Sequence, residues 1–278
     1  MSVYDIICAM PLADLIPLGV YIVFAFIFGS CLGSFLNVCI WRIPLGESVV
    51  VVPSHCPKCN HKIRWFDNVP VIGFLALGGK CRDCKAPISP RYIIMELLVG
   101  VLFTVPAVLI YMGEGAAKDL ISLTIMLSVV VPCAFIDIEH RKLPDQLTYF
   151  GMISGVLFNW VFIAGRGMTH ADSLLWSLHG LLAGVIGLGV FAWLTGKLMK
   201  KRTLGAGDVK YAGFIGATCG MPGLLVILAT ASILAVAGWV MAAVFRKKVS
   251  SDGMVPFGPY LGIAFYVIYL LGWLSAAV

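Results

Sequence analysis

The stretch DLISLTIMLSVVVPCAFID, residues 119–137, decides the fold class. It is an apolar run closed at each end by a carboxylate, and about 20 such residues let an α-helix cross a bilayer. Further runs recur at roughly 17–40, 92–112, 146–164, 173–198, 205–219, 222–245 and 256–277. Together they predict an all-α integral membrane protein with about eight transmembrane helices. Of 278 residues, 60% are hydrophobic and 12% charged. That composition overrides the two soluble domains that length alone would allow. The run 205–219 is short and Gly-rich, which suits a tilted or partly re-entrant helix lining a wet cavity. The N-terminal Met1–Asp5 has no basic segment, so no cleavable secretory signal is expected.

The formal net charge of +6 invites a nucleic-acid reading, and its distribution excludes one. If the first helix runs from outside to cytoplasm, one side receives the basic residues from Arg42 to Arg91, then Arg141, Lys142, Lys197 to Arg202, Lys210 and Arg246 to Lys248. Those are 18 of the 20 Lys and Arg. Lys118 and Arg166 fall on the other side. Such asymmetry is a topology signal. It makes the bilayer the partner, puts both termini outside, and adds anionic-lipid contact as a secondary effect.

The organisation that follows is an N-terminal segment with the first helix (1–40), a cytoplasmic loop domain (41–91) and a membrane bundle (92–278). The loop carries Cys56-Pro57-Lys58-Cys59 and Cys81-Arg82-Asp83-Cys84. Two Cys-x-x-Cys knuckles in a loop on the reducing side suit a tetrahedral thiolate zinc site better than disulfides. Zinc would staple a domain too small to build its own core. His55 and His61 flank the first knuckle and read as solvated, because the cysteine set is already complete. Cys8, Cys31, Cys39, Cys133 and Cys219 read as small core hydrophobes.

Two acids mark the predicted cytoplasmic ends of apolar runs. Asp137 closes the third helix and Asp208, in Gly205-Ala206-Gly207-Asp208, opens the sixth. An ionisable group at such a boundary is hydrated, paired or functional. Two at one depth could share a proton and supply a general acid and a general base. The bland alternatives are a hydrated boundary residue for Asp137 and a helix cap for Asp208. Gly205 and Gly207 would let a backbone approach the acid. Asp145, behind Pro144, reads as a helix-start acid. Lys210 reads as an anchor, and Glu96 as an intramembrane acid, either a functional candidate or a partner of Arg42 or Arg91. Gly29 and Gly33 offer a close-packing face. Pro256-Phe257-Gly258-Pro259 opens the last helix with an irregular backbone that an extended strand could use. Non-enzymatic readings remain, a zinc-clipped scaffold or a transporter with paired acids, as does a general intramembrane protease. The boundary depth of the acids disfavours the last two.

Taken together, GSCLGSFLNVCIWRIP at 29–44, the paired knuckles, SPRYIIMELLVG at 89–100, FIDIEHRKLPDQLT at 135–148, GAGDVK at 205–210 and PFGP at 256–259 resemble the type IV prepilin peptidase family. The resemblance spans nearly the whole chain. It implies a Gly-x-Gly-Asp membrane aspartic protease of the bacterial inner membrane. Such an enzyme cleaves the leader of prepilins or type II secretion pseudopilins after a glycine. It then methylates the new N-terminus with S-adenosylmethionine. On this basis Asp137 and Asp208 would be catalytic, with Gly205, Gly207, Pro256 and Gly258 shaping the approach. Cys56, Cys59, Cys81 and Cys84 would hold zinc. Glu96 is the sequence's candidate for the methyl-donor site.

Overall fold

The structure is a computed structural model that describes residues 15–113, 115–163, 169–200, 204–244 and 256–277. The N-terminal Met1–Asp5, Cys8, Arg166, Lys201, Arg202 and Arg246 to Lys248 lie outside the described residues.

All regular structure among the described residues is helical. The helices are α1 (Leu18–Arg42), α2 (Ile72–Ala76), α3 (Arg91–Met112), α4 (Ala117–His140), α5 (Asp145–Phe158), α6 (His170–Leu182), α7 (Leu188–Met199), α8 (Ala206–Val244) and α9 (Gly258–Ala277). α5 continues into a π turn, Asn159–Ile163, and a second π turn, Ala183–Gly187, joins α6 to α7. Among the described residues, six helices are long and apolar enough to cross a membrane, α6 and α7 counting as one and the end of α1 reaching Leu45. The protein is an all-α, multi-pass membrane protein, as the sequence predicts.

The expected tally of about eight runs counts α5 and takes α8 as two. A straight α8 would be about 58 Å long at 1.5 Å per residue, against a hydrocarbon core of about 30 Å. It breaks at Gly220, where φ is 66° and ψ 179°, a conformation open almost only to glycine. Tyr211, before the break, presents its hydroxyl 3.2 Å from where a Cβ of Gly262 would stand. Past the break, Gly238 packs against the Tyr260 hydroxyl. Residues 211 and 238 therefore both reach the first turns of α9, so the chain reverses at Gly220. The two arms, 206–219 and 221–244, are the separate sixth and seventh runs.

The chain divides into two compact units, residues 1–128 with 273–278, and residues 129–272. In the first, α1 packs on α3 through small residues. A Cβ at Gly29 would stand 2.7 Å from Phe103 Cβ, and one at Gly33 2.8 Å from the Met95 carbonyl. This is the close-packing face expected of that stretch, where missing side chains let helices approach in lipid. Tyr21 adds a buried hydrogen bond to the Ala107 carbonyl at 3.1 Å.

In the second unit, α6 and the turn after it pack on the first arm of α8. Gly180 meets Gly216, and a Cβ at Gly184 would stand 2.5 Å from the Ala212 carbonyl. The Ala217 carbonyl, just before the break, accepts from Asn159 Nδ2 and from Ser177 Oγ, each at 2.6 Å. Buried donors in an apolar setting are costly unless paired in this way. Phe214 stacks near Tyr211 and meets Phe265 edge-on, with centroids 6.1 and 5.7 Å away. It also fills the space left by Gly151. The arm that carries Asp208 is thus fixed from several sides.

Candidate active site

Asp137 lies one turn before the end of α4. Arg141 closes that helix, its N–H bonded to the Asp137 carbonyl at 2.9 Å and its φ at 52°. The left-handed residue turns the chain into Lys142–Pro144 and on to α5. Pro144 is the extended residue before the helix, and Asp145 begins it.

Leu143, in this short connection, organises the site. A Cβ at Gly207 would stand 2.7 Å from Leu143 Cβ, and one at Gly258 3.1 Å from Leu143 Cδ2. The leucine therefore lies against the start of α8 and the start of α9 together. The room beside Gly207 is taken by Leu143, so the close approach that this glycine allows is an internal one. Gly205 is exposed, and a Cβ there would meet nothing nearer than Asp208 Oδ2 at 3.0 Å.

The buried N–H of Gly258 donates to Asp137 Oδ2 at 2.9 Å. A Cβ at Gly258 would stand 2.8 Å from the same oxygen. Only glycine brings that amide so close to the carboxylate. Pro256 and Phe257 are half-buried, and the first helical bond of α9 runs from Leu261 N–H to the Phe257 carbonyl at 3.1 Å.

Asp208 sits in the first turn of α8, where its Oδ2 accepts from the Gly205 N–H at 3.2 Å. This is the reach-back of a third-position acid to the residue before the helix, so the capping role weighed from sequence is real. It occupies one oxygen. Asp137 is 7% exposed and Asp208 is half-buried. The two carboxylates interact electrostatically. Chemically, this is a pair of acids, one held by a dedicated amide and the other at a more open helix start. Such a pair can divide general-acid and general-base work.

One pairing escaped the sequence. Lys210 Nζ bonds Asp145 Oδ1 at 2.7 Å and lies 5.0 Å from the Tyr149 ring centre. It ties the second turn of α8 to the first turn of α5. Partners 65 residues apart leave no local pattern to find.

The other candidates belong to the first unit. The four thiols of Cys56, Cys59, Cys81 and Cys84 all lie within 4.8 Å of one another. Cys56 and Cys84 sulfurs are 3.8 Å apart, and a tetrahedron of about 2.3 Å Zn–S bonds gives nearly that edge. The two knuckles repeat one geometry. Cys56 N–H bonds the His61 carbonyl as Cys81 N–H bonds that of Ala86, at 3.0 and 2.8 Å. Asn60 and Lys85, each just past the second cysteine, have φ of 56° and 58°. The backbone amides of Cys59 and Lys58 lower the Cys56 thiol pKa, which favours the ligating thiolate there. The cluster could hold a metal ion. The knuckles are braced by Arg82, which grips Asp67 at 2.6–3.1 Å and lies over the Phe66 ring.

Glu96 is buried, and its Oε2 accepts from the Val71 N–H at 2.8 Å. Val71 has φ 62° and ψ −54°, and Ile72 N–H bonds the Pro70 carbonyl at 2.6 Å. That is a strained γ-turn at a β-branched residue, and Glu96 holds it. Arg42 is not its partner. The Arg42 guanidinium donates to the carbonyls of Ser48, Val52 and Pro53.

Comparison with known proteins places these features. Residues 27–110 match the bacterial peptidase A24 N-terminal domain, and residues 121–240 match the type IV leader peptidase family. The prepilin leader peptidase/N-methyltransferase of Aeromonas hydrophila is 33% identical over 276 residues, covering 91% of each chain. The chain belongs to the type IV leader peptidase family. By that membership it is an enzyme, a peptidase with N-methyltransferase activity. The protein of the same name from Klebsiella pneumoniae is 37% identical over 75% of this chain and 90% of its own. That of Myxococcus xanthus is 36% identical over 77% of this chain, which spans 60% of that relative's length. No solved structure matches. The peptidase match contains Asp137, Leu143 and Asp208, and the N-terminal match contains all four knuckle cysteines and Glu96. The family resemblance read from the motifs therefore holds.

Proposed function

We propose that this leader peptidase removes the basic leader of type IV prepilins or type II secretion pseudopilins at the cytoplasmic face of the bacterial inner membrane, with Asp137 and Asp208 as its catalytic pair. The observation that carries the reading is the convergence at Leu143 and Gly258. Three separate helix ends meet there, and an amide is committed to one of the acids. In the proposed cycle one ionised carboxylate takes a proton from water. The other, protonated, polarises the scissile carbonyl and assists the departing amine. The pair would titrate as a unit. The substrate's apolar helix would lie among the membrane helices, with its scissile bond at the depth of the acids.

The basic residues favour this orientation, with the knuckle loop and the acids inside and both termini outside. Zinc is the ion that four thiolates in this geometry fit, and its role is structural. The methyl donor is S-adenosylmethionine. Glu96 is a weak candidate for its site, since its carboxylate already holds Val71.

Mass spectrometry of a co-expressed prepilin's N-terminus tests the whole reading. The expected product is the leaderless, N-methylated chain. Asp137→Asn and Asp208→Asn should each abolish leader removal while protein level and zinc content persist. Processing that survived either change would remove that residue from the pair.

A further inference from the structure

Tyr211 is fully buried, and its hydroxyl has no hydrogen-bond partner in the structure. Buried hydroxyls are almost always paired, so an orphan needs an explanation. Its position suggests one. Tyr211 follows Asp208 by three residues, Cys133 precedes Asp137 by four, and Gly262 follows Gly258 by four. Residues three or four apart share a helix face. Each of the three elements that builds the site thus contributes a second residue one turn further in, and these three form an inner layer.

Within that layer the Tyr211 hydroxyl comes to 3.2 Å from where a Cβ of Gly262 would stand, a position that is also 2.9 Å from Val130 Cγ1. Any larger residue at 262 would crowd it. Helical side chains lean toward the N-terminus of their helix, which aims this phenol back toward the Asp208 end. Asp137 is close enough to act on it electrostatically. The Gly258 amide engages only Oδ2 of Asp137.

We propose that Tyr211 is a positioning residue for Asp137, its hydroxyl donating to the carboxyl from the membrane side across one water, opposite the Gly258 amide. The acid is then held from two sides, and its rotation relative to Asp208 is restricted. This rests on Asp137 being one of the two catalytic acids.

The test is Tyr211→Phe in the full-length enzyme, which keeps the ring and its packing on Phe214. A fluorogenic peptide with a basic leader and a Gly-Phe junction serves as the probe. A lost hydrogen bond to a charged group should lower kcat about tenfold. KM, zinc content and melting temperature should stay near wild type. An unchanged kcat, with or without a raised melting temperature, would overturn the proposal. Removing an idle buried hydroxyl is neutral or stabilising. A readout independent of turnover is the Asp137 carboxyl stretch, isolated as the infrared difference between wild type and Asp137→Asn. The band should shift in Tyr211→Phe, and an unmoved band would sink the idea. If Asp137→Asn itself still cleaves, the catalytic reading fails, while the infrared band still decides whether Tyr211 holds that carboxyl.

Discussion

Gly258 and Asp137 are 121 residues apart in the chain and joined by a buried hydrogen bond of 2.9 Å, from the glycine N–H to Oδ2. An acid near a membrane boundary needs hydration or a partner, and here the partner is backbone. A side-chain donor could rotate away. An amide at a helix start cannot, so this contact fixes the carboxylate as rigidly as α9 itself.

Gly258→Ala should therefore be disproportionately harmful for so small a change. The new methyl would stand 2.8 Å from Oδ2 and 3.1 Å from Leu143 Cδ2. Either α9 or Asp137 must shift, and a misplacement of about 1 Å can cost about 100-fold in rate. Cleavage of a purified prepilin is expected to fall by about that factor, with the folded fraction retained. Near-normal turnover would show that the contact does not position the acid.

The cysteine cluster predicts a different signature. Cys56→Ser should lose the bound metal and loosen residues 54–88, read as metal stoichiometry and hydrogen exchange. Chelation of the wild-type enzyme should reproduce both effects, because a small metal-stapled loop has little core to fall back on. Unchanged zinc content in Cys56→Ser would contradict the ligand set.

Gly220→Ala addresses the reversal of α8. Its φ of 66° excludes a side chain at ordinary cost, and a Cβ would run into the Trp176 ring. We expect a loss of about 2 kcal/mol or more, seen as a lower melting temperature in detergent. A variant as stable as wild type would mean the chain does not turn there.

Acid should loosen the brace between the knuckles. The hydrogen-bonded Arg82 guanidinium holds the Asp67 carboxyl below the usual carboxylate range. A depressed folded value means that the stabilisation is complete above the unfolded value of about 3.9 and fades as pH falls through the lower folded one. Proteolysis of residues 64–82 should be unchanged from pH 7 to pH 5 and rise only below about 4. Sensitivity that appeared already at pH 5 would argue against the pairing.

Much of the fold was legible because its determinants are local. A run such as 119–137 must become a helix, since lipid offers its amides no other partner. The knuckles declare a metal site by spacing. The small-residue face of Gly29 and Gly33 was readable for the same reason. The break at Gly220 left only a trace, a run too short to cross the bilayer alone. The Glu96 contact with Val71 was not legible, because nothing local to residue 96 shows that Val71 would offer it a strained amide.

The chain's residue order alone set where the helices lie, which ends carry the acids and which cysteines cluster. Those properties depend on hydropathy and on spacings of a few residues. Tertiary structure decided that Gly258 serves Asp137, that Leu143 packs against the openings of both α8 and α9, that Lys210 finds Asp145, and that the Tyr211 hydroxyl is left unpaired beside Gly262. Each of these joins segments tens of residues apart. Their meeting follows from how closely glycine-lined helices pack, which no short stretch of sequence encodes.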